Sequence, residues 1–137
     1  MPIFLLNLQT MLEKNLFEYA ILRVVPRVER EEFLNVGAVL FCKKENFLKV
    51  KYQLNEERLK AIYVNLDLKE LEQHLHIFKC ICEGIKCGSP ISDLDVPSRF
   101  RWLTATRSTI IQTSKPHPGF SKNLELSLDN LFEDFIL

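Results

Sequence analysis

Neither charge is in excess: eighteen Lys and Arg offset eighteen Asp and Glu. No whole-molecule field draws the protein to nucleic acid or an acidic membrane, so any anion site must be local. Glycine is scarce, four in 137 residues, and there is no Gly-rich phosphate loop, no HExxH and no GxSxG. The common catalytic templates are thereby excluded, and no cofactor is implied. No apolar run reaches the ~20 residues of a membrane span. The apolar start, MPIFLLNLQTMLEKN, has no Lys or Arg ahead of its apolar run, is interrupted by Asn7 and Gln9, and shows no small-residue cleavage pattern. It therefore does not read as a signal peptide. Residues 1–16 are expected to be an extension or short helix, and Met11 would also serve as a start. A cytoplasmic protein with four reduced cysteines follows. Repeats, low-complexity tracts and interdomain linkers are also lacking.

The composition, 47% hydrophobic and 26% charged, is that of a folded chain. Its length fits one domain, taken as 17–137, which needs no disulfide or metal to fold. Residues 17–26 (FEYAILRVVP) and 33–42 (FLNVGAVLFC) are apolar on both faces, as buried strands are. In FLKVKYQ, 47–53, Lys49, Lys51 and Gln53 alternate with Leu48, Val50 and Tyr52, a strand with one wet face. Short connections make these three an antiparallel meander. Asn55 caps a helix over EERLKAIYV, and Asp67 with Glu70 opens another over 68–84. Its stripe Leu68, Leu71, Leu75, Phe78, Cys82, Ile85 steps by three and four, and Gly84 or Gly88 ends it. Residues 86–95 read as a surface loop, and Pro97 opens a short helix through Leu103. The segment 108–114 is β-rich and joins the sheet, KPHPG is a break, and a last helix starts near Ser127. The fold class is α+β: an antiparallel sheet of about four strands with helices packed on one face.

The pairing of YAILRVVPRVEREEFLNVGAVLFC with RFRWLTATRSTIIQTSKPHPG resembles the bacterial domain-of-unknown-function family DUF3037, from about Phe17 to the end. The resemblance implies no reaction and carries over no catalytic residue. It hints at a protein partner, because members are often encoded beside proteins that resemble HipA-like kinases.

Two constellations stand out. In RVVPRVEREEFLNVGAVLF, 23–41, hairpin symmetry places Arg23 opposite Asn35 and Ile21 opposite Gly37. A guanidinium beside the hollow of Gly37 suits a carboxylate or phosphate. Alternatively Glu29, Glu31 and Glu32 simply satisfy Arg23, Arg27 and Arg30, and Gly37 marks a bulge. Either way an interior Arg23 needs an anion, and Glu31 or Glu32 is the expected stand-in. The second constellation lies between Val96 and Lys122, with five Lys or Arg and no acid, followed from Asn123 by four acids and no base. Arg99, Arg107, Ser108, Thr109, Gln112 and His117 make this block rich in anion-binding donors. Arg23, Asn35, Arg107 and Gln112 are expected to line one concavity beside Gly37.

The expectation is a non-catalytic binding or accessory domain whose Arg-rich face holds an anionic small molecule or a protein partner. The alternative is an enzyme on a phosphate-bearing substrate, with Arg23, Arg99 and Arg107 as clamps and His117 as acid or base. Nucleic acid is not an expected partner. A zinc reading of His74, His76, Cys80, Cys82 and Cys87 is set aside, because Cys82 belongs to the apolar stripe while His76 and Cys80 lie on the polar face.

Overall fold

The computed structural model describes residues 14–105, 107 and 109–137, and all but the last three residues of the expected N-terminal extension lie outside that range. Strands β1 (Asn15–Val24), β2 (Leu34–Cys42) and β3 (Phe47–Tyr52) form the antiparallel meander. Helix α1 (Glu56–Ile62) starts where the Asn55 side chain accepts from the Arg58 amide. Helix α2 (Leu68–Glu83) starts where Asp67 accepts from the Lys69 and Glu70 amides. Asp95 caps α3 (Val96–Leu103), with Pro97 in its first turn. Strands β4 (Ile111–Thr113) and β5 (His117–Ser121) both pair antiparallel with β1, and helix α4 (Leu124–Phe135) follows. The result is the expected α+β fold, with a five-stranded sheet ordered β3-β2-β1-β4 and β5 added on β1.

Several local features differ from expectation. KPHPG is a break only at Lys115-Pro116, since pairing resumes at His117. Pro118 is tolerated opposite Glu18 because β5 lies at an edge, where no outward donor is required. Ser114 bridges the interruption: its amide donates to the Ile21 carbonyl at 2.9 Å, and its Oγ accepts from the Ile21 amide at 2.9 Å. The loop 86–95 contains a short 3-10 turn, Pro90–Asp93. The last helix begins at Leu124, three residues before Ser127, because Asn123 accepts from the Leu126 amide.

The core forms on both sides of the sheet. Ala20, Leu22, Val24, Val39 and Phe41 face Leu59 of α1, Leu71 and Leu75 of α2, and Phe100 of α3. On the other side Phe17, Ile21, Ala38 and Leu40 meet Leu124 and Leu128 of α4. Three helices thus share one face as expected, while α4 covers the second. Strands apolar on both sides need two covers, and α4 supplies the second. The helix also takes up the wet face of β3. Lys49 pairs with Glu125 at 2.8 Å and Lys51 with Asp129 at 3.1 Å, and the Lys51 ammonium sits 4.8 Å from the Phe132 ring centroid. Two of the four tail carboxylates therefore meet β3.

Arg23 does lie opposite Asn35, but the register shifts between Leu22 and Arg23, so Leu22 and not Ile21 faces Gly37. Gly37 opens no hollow. A Cβ there would stand 2.7 Å from the Lys51 carbonyl oxygen and 2.8 Å from the Tyr52 Cβ. The bare position is where β3 approaches β2 closely. Gly37→Ala is accordingly expected to cost about 1–3 kcal/mol by forcing the strands apart. Urea unfolding reads this directly, and an unchanged midpoint would show that β3 yields freely.

Candidate ligand-binding cleft

The loop after β1 is held by its own charges. Val28–Arg30 forms a 3-10 turn, Arg27 pairs with Glu29 at 2.8 Å, and Arg30 pairs with Glu32 at 2.6 Å. Neither Glu31 nor Glu32 is an ion-pair partner of Arg23 among the described residues. The Arg23 guanidinium instead lies 4.1 Å from the Phe33 ring centroid, where the ring quadrupole supplies the compensation expected of an anion. Its Nε is buried without a hydrogen-bond partner among the described residues. Asn35 is turned toward α4, its Nδ2 donating to the Phe135 carbonyl at 3.4 Å.

Alternation along β1 puts Arg23 on the side of Phe17 and Ile21, the α4 side of the sheet. Asn35 and Gln112 are its neighbours across the strands. Arg107 stands on the other side, among residues of α2, α3 and β4. Arg23 and Arg107 therefore lie on opposite sides of the sheet rather than in one concavity.

The side that holds Arg107 has a cleft of about 270 Å³. Ile77, Phe78 and Ile81 of α2 form one wall, Trp102 and Leu103 of α3 another, and Ile111 and Thr113 of β4 the third. His74, Arg107 and Thr109 also line it, and Gln112 of β4 borders it. The cleft lies where α3 ends at Leu103, and Ile77 of α2 is exposed beside it. The Arg107 guanidinium stacks 3.7 Å from the Trp102 ring centroid and donates through Nη2 to the Trp102 carbonyl. Partial burial lowers its pKa. No carboxylate pairs with it among the described residues. Thr109 Oγ1 donates to the Ile111 carbonyl at 2.6 Å and Gln112 Nε2 to the Thr109 carbonyl at 2.9 Å, which ties the rim together. Ser108 lies outside the described residues.

Arg99 and His117 do not line this cleft. Arg99 is only 9% exposed, and its Nη1 donates to the carbonyls of Ile81 and Cys82 at 2.7 and 2.9 Å, closing the end of α2. His117 is exposed on β5 with its ring 5.5 Å from that of Tyr19. Ser114 Oγ is engaged at the β4–β5 bend. Arg101 holds Glu18 in a two-bond pair at 2.6 and 3.0 Å, and that guanidinium keeps the Glu18 carboxyl below its ordinary pKa.

A family profile described as "Protein of unknown function (DUF3037)" matches residues 19–136. The chain belongs to the DUF3037 family. No curated protein and no solved structure matches it. The DUF3037 match leaves out residues 15–18 of β1 but spans the rest of the sheet, α2, α3 and every residue named above as lining the cleft. No helix among the described residues is long and apolar enough to cross a membrane.

Sequence reasoning missed Trp102, His74 and the α2 wall of this cleft. The single tryptophan five residues before Arg107 was the available signal, since a guanidinium and an indole so spaced can stack across a helix end. It also missed the pairing of cysteines. Cys80 and Cys87 form a disulfide, contrary to the expectation of four reduced thiols, while Cys42 and Cys82 are free and buried. Burial pushes the Cys82 thiol far up, so it is inert packing.

Proposed function

We propose that this protein is a non-catalytic binding domain whose cleft between α2, α3 and β4 receives an anionic group carried on an apolar body. One observation carries this reading: the Arg107 guanidinium, oriented by Trp102, has no carboxylate partner among the described residues and stands beside an apolar hollow. An apolar pocket with a few convergent polar groups is the usual form of a small-ligand or side-chain site. The volume suits one ring-sized group, such as an aryl carboxylate or aryl phosphate, or the same chemistry on a protein partner. A HipA-like kinase partner, implied by the family resemblance, is compatible with the latter. The enzyme alternative draws no support from the geometry, because Arg23, Arg99, Arg107 and His117 are engaged separately.

Trp102 is the sole tryptophan and reports on the cleft by its own fluorescence. Titration with phenyl phosphate is expected to change that emission to saturation. Arg107→Glu should weaken binding by about tenfold or more while leaving the unfolding midpoint unchanged, because a charge at the mouth contributes little to stability. Equal titrations of the two proteins, or no change in either, would remove the anion site.

A further inference from the structure

A second cluster lies at the C-terminal end of α2, and none of its members lines the cleft. His76 and Cys80 are four residues apart on the helix and therefore stand one above the other on the same side. Gly84, at φ 70°, then reverses the chain. The Gly84 amide donates to the Ile81 carbonyl at 3.2 Å and the Ile85 amide to the Cys80 carbonyl at 2.9 Å, the paired bonds of a Schellman ending. Only three residues after Gly84, the returning chain brings Cys87 onto Cys80. The His76, Cys80 and Cys87 ligand atoms all lie within 4.8 Å of one another.

The separation of His76 Nε2 from Cys80 Sγ is 3.6 Å. Zinc bonds of ~2.3 Å to sulfur and ~2.0–2.1 Å to nitrogen, set at a tetrahedral angle, place the two donor atoms about 3.6 Å apart. The helix alone thus fixes one edge of a zinc tetrahedron, and Cys87 supplies a third donor. Exposed His76 leaves a path for an ion, while buried Cys80 and half-buried Cys87 shield the sulfurs. Helix geometry keeps His74 and Cys82 out of the cluster, whereas Cys87 is folded back onto it by the Gly84 turn.

We propose that His76, Cys80 and Cys87 form a redox-gated zinc site. In the oxidised protein the two sulfurs are bonded to each other and offer no thiolate. A dithiol reductant passes two electrons and two protons to the disulfide and becomes a disulfide itself, leaving Cys80 and Cys87 as thiols. Zinc then binds both sulfurs and the neutral imidazole, and the two thiol protons go to solvent. Thiolate and imidazole donors of this kind select zinc over magnesium or calcium. Three protein ligands leave a fourth position for water, as in an exchangeable site rather than a closed structural one.

The full chain, reduced with a phosphine under argon, is titrated with cobalt(II) as the spectroscopic stand-in for zinc. One equivalent should produce a thiolate-to-cobalt charge-transfer band that zinc abolishes, and the oxidised chain should produce none. His76→Ala should weaken binding by about tenfold or more, and Cys87→Ser should remove most of the band. A Cys42→Ser, Cys82→Ser double variant should retain it. The proposal is overturned by absence of the band in reduced protein, by its persistence in oxidised protein, or by equal bands in the wild type, His76→Ala and Cys87→Ser. Loss of fold on reduction that zinc does not restore, followed by circular dichroism, overturns it as well.

Discussion

Arg99→Met is expected to lower stability by about 2–3 kcal/mol without touching the cleft. The guanidinium donates to the carbonyls of Ile81 and Cys82 at the end of α2, at 2.7 and 2.9 Å, in a buried setting. Methionine matches the length of the side chain and fills the same space, but it donates nothing. The Ile81 oxygen would keep its bond from the Gly84 amide, whereas Cys82 would lose its only described partner from Arg99. A cation at a helix C-terminus is lost at the same time, which adds to the cost. One gain works the other way, since the buried Arg99 Nε, which has no partner among the described residues, disappears. Denaturant unfolding should show a lower midpoint at unchanged slope. Arg99→Lys should recover part of the loss by restoring one donor and the charge. A variant of native stability that no longer binds phenyl phosphate would instead return Arg99 to the list of ligand-binding residues.

Arg99 also shows why the fold was more legible than the site. Strand positions follow from apolar runs and short connections, and helix starts follow from Asn55, Asp67 and Pro97, which are local facts. The same runs in β1 and β2, apolar on both faces, already required a second cover, which the amphipathic tail provides as α4. What one residue meets across the fold is not local. Arg99 reads in sequence as one of several free cations, yet it is spent on the end of a helix that starts thirty-one residues earlier. Arg23 has three glutamates close by in sequence, but it is held by the Phe33 ring. Gly37 looked like a hollow because the approach of Lys51 and Tyr52 depends on the register of a third strand. Thr109, one of the donors of the basic block, lies at the rim of the cleft. The cysteine pairing depends on the left-handed turn at Gly84, a residue recognised as a helix end but not followed to the direction in which it sends the chain.

The largest single loss is expected at Phe100. Its side chain is wholly inaccessible and its ring stacks on Phe41 of β2, with centroids 4.8 Å apart and planes 25° from parallel. This contact joins α3 to the centre of the sheet. Phe100→Ala leaves a cavity between them and should cost about 3–5 kcal/mol, whereas Phe100→Leu should cost clearly less because much of the volume is kept. The effect extends to function, because Trp102 and Leu103 stand within the next turn of α3 and form a wall of the cleft. As α3 settles into the cavity, the Trp102 ring moves relative to Ile111 of β4, and the Arg107 guanidinium that stacks on it moves too. Phenyl phosphate binding, read by Trp102 emission under conditions where the variant is still folded, should therefore weaken several-fold in Phe100→Ala and recover in Phe100→Leu. Full binding by a folded Phe100→Ala protein would show that Arg107 takes its position from the rim bonds of Thr109 and Gln112 rather than from the helix.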